Sequence, residues 1–123
     1  MTVPAEKLKK MAESEKRRER KNRAAVPGRI ASALAEAKRL VNEFRALDPG
    51  LDKIVLFGSL ARKDARSVDF DIDLAVACSK EKYLSIVARA LDSPFNVDVV
   101  DLTTADERIK ASIARDGVVL YEK

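Results

Sequence analysis

Between Gly58 and Leu74 the chain reads GSLARKDARSVDFDIDL. A Gly-Ser pair follows the apolar run Lys53 to Phe57 (KIVLF). Three aspartates, Asp69, Asp71 and Asp73, then take every second position as a second apolar run begins. Alternate residues of a β-strand point to one face. A strand over Asp69 to Ala77 therefore sets the carboxylates in a row, opposite Phe70, Ile72, Leu74 and Val76. Like charges in a row repel, and divalent cations turn that repulsion into binding. Ala75 and Ala77 continue the acidic face with small side chains that leave room for a ligand. An edge strand charged against aggregation is the plain structural alternative; the apolar run that follows directly argues against it.

Upstream, Ile30, Leu34, Ala37, Leu40, Val41, Phe44 and Leu47 recur at helical spacing. They predict an amphipathic helix of about five turns that covers a sheet face. Pro27-Gly28 is expected to punctuate the chain before it and Asp48-Pro49-Gly50 to end it. KIVLF has the pattern of a buried strand, and Leu60 to Ala65 reads as a short helix. Downstream, Ser79 to Leu91 is a helix with Ser79 as N-cap, and Phe95 to Leu102 is a third strand with Asp98 pointing away from Val97 and Val99. Ala105 to Arg115 is a helix capped by Thr103 or Thr104, with Glu107 three residues after Thr104, and Val118 to Tyr121 is a fourth strand. The expected fold is α/β, a small central sheet covered by helices.

The 123 residues are enough for one core. No apolar run approaches the roughly 18 residues of a membrane span. The single cysteine, Cys78, and the lack of an apolar leader make the cytoplasm the expected compartment, with no membrane partner. There is no histidine, which excludes imidazole acid-base chemistry, Ser-His triads and His-based zinc sites. A metal must then be held by oxygen, which favours magnesium, manganese or calcium. Residues 1–30 hold ten Lys or Arg against four Glu, whereas the rest of the chain is slightly acidic. Residues 1–27 therefore read as a basic helical extension, exposed or ordered by a partner, and residues 28–123 as the domain. For the extension, nucleic-acid binding through Lys and Arg and simple solvated charge are both open.

Two aspartates separated by one strand residue bracket divalent ions that share bridging oxygens. Two-metal sites hold ions about 3.5–4 Å apart and clamp the attacking and leaving oxygens of a phosphoryl displacement. Asp98, which interrupts the apolar run VDVV, is the candidate third carboxylate. Gly58 lets backbone approach a phosphate, and Ser59 offers a hydroxyl and an N–H where a helix begins. Arg62, one turn on, is within reach of the same phosphates. The plain alternatives are a strand-end ion pair for Asp98, a solvated helix charge for Arg62 and an ordinary N-cap for Ser59.

LFGSLAR (Leu56 to Arg62), DIDLAV (Asp71 to Val76), VDVVD (Val97 to Asp101) and IARDGVVLYE (Ile113 to Glu122) occur in this order. Over Lys53 to Glu122 the chain thereby resembles the minimal nucleotidyltransferase family of the DNA polymerase β-like superfamily. The resemblance implies a polymerase β palm-like fold and Mg²⁺-dependent attack of an acceptor hydroxyl on the α-phosphate of a nucleoside triphosphate, most simply AMP transfer from ATP. Two Mg²⁺ ions are implied, with Mn²⁺ able to substitute. Asp71 and Asp73 would ligate the metals, Asp98 would bind the first and help activate the nucleophile, and Gly58 with Ser59 would hold the triphosphate. Many such relatives are antitoxins of HEPN-domain toxins, and some adenylylate a tyrosine of the partner. The chain departs from the family pattern in two places. Leu60 to Phe70 is one residue longer, and Phe70 stands where serine is common. A slip would make Asp69 and Asp71 the pair; Asp71 and Asp73 are favoured because Ile72-Asp73-Leu74 joins the apolar continuation. The expected function is thus metal-dependent nucleotide transfer to a hydroxyl of a partner protein or small molecule. The alternative is a nucleotidyltransferase-like binding module that acts by contact with protein or RNA.

Overall fold

Lys53–Phe57 (β1) is an inner strand, and four of its five residues are buried. It pairs antiparallel with Ile72–Ala77 (β2) on one side and with Val118–Glu122 (β4) on the other. Val97–Asp101 (β3) adds parallel to β2, so the sheet order is β3-β2-β1-β4. The computed structural model describes residues 5–65 and 67–123, with side chains from residue 24 onward. Helices Ala5–Leu47 (α1), Gly58–Arg62 (α2), Lys80–Leu91 (α3) and Glu107–Asp116 (α4) alternate with the strands in the order expected from the sequence.

The alternation within each strand divides the core. Ile54 and Leu56 of β1 and Ile72, Leu74 and Val76 of β2 face one layer, packed with Leu40 and Phe44 of α1 and Ile86 and Ala90 of α3. Each large side chain there removes about 1.5–3 kcal/mol of apolar surface energy from water. Val55, Phe57 and Ala75 face the other layer, which is smaller and is filled by Ile109 and Ile113 of α4 together with Val100 and Leu102. Asp73 has the parity of Ala75, so it lies on the α4 side.

Several boundaries differ from the expectation. The helix runs through Pro27 and Gly28 instead of starting after them. Pro27 and Gly28 are exposed, so water can satisfy the carbonyl that proline leaves without a donor. Once the downstream turns are packed, extension through good helix formers is cheap. The expected exposure or partner-ordering of the basic extension lies, for residues 1–23, outside the described side chains; of the rest of it, Ala24, Ala25 and Pro27 are exposed and Val26 is buried.

The second strand begins at Ile72 rather than Asp69, because the first ladder bond on the β3 side is the Ile72 N–H donating to the Asn96 carbonyl at 2.8 Å. Upstream, the Asp69 N–H donates to Ser67 Oγ within a turn. The short helix starts at Gly58 and ends at Arg62 instead of spanning Leu60 to Ala65, with Lys63 in the left-handed region closing it. The cap of α4 is Asp106, whose carboxylate accepts from the Ile109 N–H at 2.9 Å. Thr103 instead donates its hydroxyl and N–H to Asp101. Ser79 occupies the N-cap position of α3 without a side-chain capping bond.

Candidate active site

Asp73 of β2 and Asp98 of β3 are direct partners in the parallel ladder, so the register sets their side chains next to each other. Asp71, just before β2, folds into the same place. One carboxylate oxygen from each of the three lies within 4.8 Å of the others. Asp69 is outside this cluster, on the rim of the adjoining cleft. Of the two registers open in the sequence, the Asp71/Asp73 pair is the one the fold brings to Asp98.

At an effective dielectric constant of about 20, two unit charges at the 4.8 Å limit repel by roughly 3 kcal/mol. The consequence shows at Asp73, the half-buried member. Burial, and then the nearby Asp98 and Asp71, push its carboxyl up to about 6, and Arg62 opposes this only in part. The donor set is all oxygen, with neither nitrogen nor sulfur, and so fits hard cations such as Mg²⁺, Mn²⁺ or Ca²⁺.

Gly58 is required by this cluster. Its φ is +77°, where a side chain is strained, and a Cβ there would collide with Asp73 Oδ2. Phe57 pairs with Asp73 across β1 and β2, which puts the turn directly against the carboxylate. Ser59 and Arg62 line a cleft of about 540 Å³ that also contains Asp69, Asp71 and Asp73, a volume within the range of small-molecule sites. The Arg62 guanidinium donates from Nε to Asp64 at 2.8 Å and lies 3.8 Å from Asp116 of α4. The bond to Asp64, more than any other contact, holds its pKa above the usual value.

A second cleft, about 460 Å³, opens on the other side of the carboxylates between Leu91, Pro94, Phe95, Asn96 and Asp98, and shares Asp71 with the first. Its loop is tied to α1. Ser93 Oγ donates to Glu36 at 2.5 Å, and Glu36 is only 8% exposed and is also held by Arg39. The Arg29 guanidinium stacks 3.8 Å from the Phe95 ring centre. On the β3 side, the Tyr83 hydroxyl of α3 donates to the Val99 carbonyl.

Reading the sequence missed Glu36, Ser93 and Asp116. Only Asp116 carried a signal, since it sits in the IARDG motif. There it anchors Arg62 beside Gly117, whose close approach to Val55 leaves no room for a Cβ.

Residues 38–123 match the family described as Polymerase beta, Nucleotidyltransferase. The chain belongs to the polymerase β nucleotidyltransferase family. No curated protein sequence matches the chain. Among solved structures, this nucleotidyltransferase is 28% identical to a toxin-antitoxin with AMP-PNP, with TM-score 0.54, 70% of this chain and 73% of that chain covered. It is 26% identical to the toxin-antitoxin MntA-HpeT carrying two Asp→Glu substitutions at positions separated by one residue, with TM-score 0.52 and the same 70% and 73% coverage. A proposed nucleotidyltransferase from Sulfolobus solfataricus, 21% identical with TM-score 0.59 over 80% of this chain and 88% of that chain, shares the fold. The mixed four-stranded sheet with its helices is thus the nucleotidyltransferase fold. Among the described residues, no helix is long and apolar enough to cross a membrane.

Proposed function

We propose that this nucleotidyltransferase moves AMP from ATP to a hydroxyl of a partner protein, and that it acts as the antitoxin of a HEPN-type toxin. The observation that carries the proposal is the convergence of Asp71, Asp73 and Asp98 from two adjacent strands at the junction of two clefts. AMP-PNP in the 28% identical toxin-antitoxin supports an adenine nucleotide. The paired Asp→Glu substitutions in the 26% identical one fall at the spacing of Asp71 and Asp73.

In this reading Asp71 and Asp73, with Asp98, hold Mg²⁺, which when bound offsets phosphate charge and polarises the α-phosphate. Ser59 and the Arg62 side of the first cleft receive the triphosphate, and Gly58, with no Cβ, lets the backbone come close to it. Asp98, exposed at the second cleft, takes the proton of the acceptor hydroxyl. The acceptor oxygen bonds to the α-phosphorus, the bond from that phosphorus to the bridging oxygen breaks, and pyrophosphate leaves. Residues 1–27 remain a candidate arm for partner or nucleic-acid contact.

The test incubates the chain with Mg²⁺, α-labelled ATP and the proteins encoded by neighbouring genes. Label is expected on one of them, and is expected to vanish with Asp71→Ala plus Asp73→Ala. No transfer by the native chain, with inhibition of the partner surviving that double substitution, would replace the enzyme by a module that acts through contact.

A further inference from the structure

α3 presents two unlike faces. Tyr83, Ile86 and Ala90 pack against the main core, whereas Leu84, Ala88 and Leu91 are exposed, Leu84 at 74% and Leu91 at 76%. Single exposed leucines are ordinary. These two, with an alanine between them, are spaced four and then three residues apart on one line of the helix. That is the spacing of a seam that packs on another helix, and it runs for about 10 Å along the axis.

The seam leads somewhere. Leu91 lines the second cleft, which Asp71 and Asp98 also line. The loop that also lines this cleft is held in place by the Ser93–Glu36 bond, the Phe95 N–H donating to Ser93 Oγ and Arg29 over Phe95. The exposed stripe therefore ends at the cleft that Pro94, Phe95 and the two carboxylates line.

We infer that Leu84, Ala88 and Leu91 form the docking seam for an amphipathic helix of the acceptor protein, which delivers its hydroxyl to the Asp98 side of the site. The inference rests on the nucleotide-transfer reading above. The apolar stripe of the acceptor helix covers the leucines, and the residue to be modified follows it into the second cleft.

The test measures binding of the full chain to each purified protein encoded by a neighbouring gene, by calorimetry without nucleotide. The native chain should bind one of them. Leu84→Asp and Leu91→Asp should weaken that binding at least tenfold, while Ala111→Asp on the exposed side of α4 should not. Circular dichroism verifies the fold of each variant, and Leu84→Ser repeats the test should Leu84→Asp lose its fold. With Mg²⁺ and ATP present, the seam variants should raise KM for the acceptor and leave kcat. Unchanged affinity in the seam variants overturns the inference. So does the absence of binding to any of these proteins, or a native homodimer in sedimentation that Leu84→Asp dissociates. Binding that depends on the seam without any label transfer supports the docking and removes only the transfer chemistry. Label transfer at unchanged KM in the seam variants does the reverse.

Discussion

On β2, Ile72, Leu74 and Val76 point into the layer filled by α1 and α3 and are wholly buried, whereas Asp73, on the opposite face, is half-buried beside Asp98. The two faces come from the same strands by alternation alone, yet one is continuous packing and the other stops short. On β2 and β3 the apolar filling of the α4 side ends at Ala75 and Val100, and Asp73 and Asp98 occupy the next positions on that face. A site of repelling charges in a small domain needs a rigid support. Here that support is the back of the same sheet, so the stability invested on one face holds in place the unfavourable group on the other.

The two faces should therefore respond differently to substitution. The largest stability effect belongs to the packed face. Phe44→Ala, at a fully buried position of α1, should lower unfolding free energy by about 4 kcal/mol in urea titration. A loss below about 1 kcal/mol would show that the packed layer is not the support. The next effect lies where the faces meet. Gly58→Ala combines a strained positive φ with collision against Asp73 and should cost about 2 kcal/mol. It should also weaken Mn²⁺ binding measured by electron paramagnetic resonance, which a purely local strain would leave unchanged.

The smallest effect has the opposite sign. Because the Asp73 carboxyl is raised from 3.8 to about 6, the folded state binds more protons than the unfolded state between these values. Stability from this group is therefore greatest below pH 4 and declines until about pH 6. After allowance for solvent screening the decline is about 1 kcal/mol. Without metal, Asp73→Asn should be more stable than the native chain at pH 7 by that amount, and the difference should disappear near pH 4. A variant less stable at pH 7 would mean that Asp73 is a structural partner rather than an uncompensated charge.

Much of this was legible in order along the chain. Periodicities of two and of 3.6 mark the same eight elements found among the described residues, because burying one face requires those repeats. The local rules misjudged the ends of elements. Proline and glycine at positions 27 and 28 suggest a break, but both are exposed there and the packed turns downstream carry the helix through. Thr104 and Glu107 have capping-box spacing, but Asp106 is better placed once Thr103 bonds to Asp101.

By itself the sequence determined which residue types could do chemistry. With no histidine and one cysteine, oxygen ligands were the remaining choice for a metal, and an aspartate at every second position was their densest source. Which of those aspartates come together is decided only by the tertiary structure. The parallel register pairs Asp73 with Asp98, the turn at Gly58 closes on Asp73, and the strand begins late enough for Asp71 to fold in while Asp69 stays on the rim. Strand pairing between segments some 25 residues apart is set by how whole faces pack, and no local spacing contains that information.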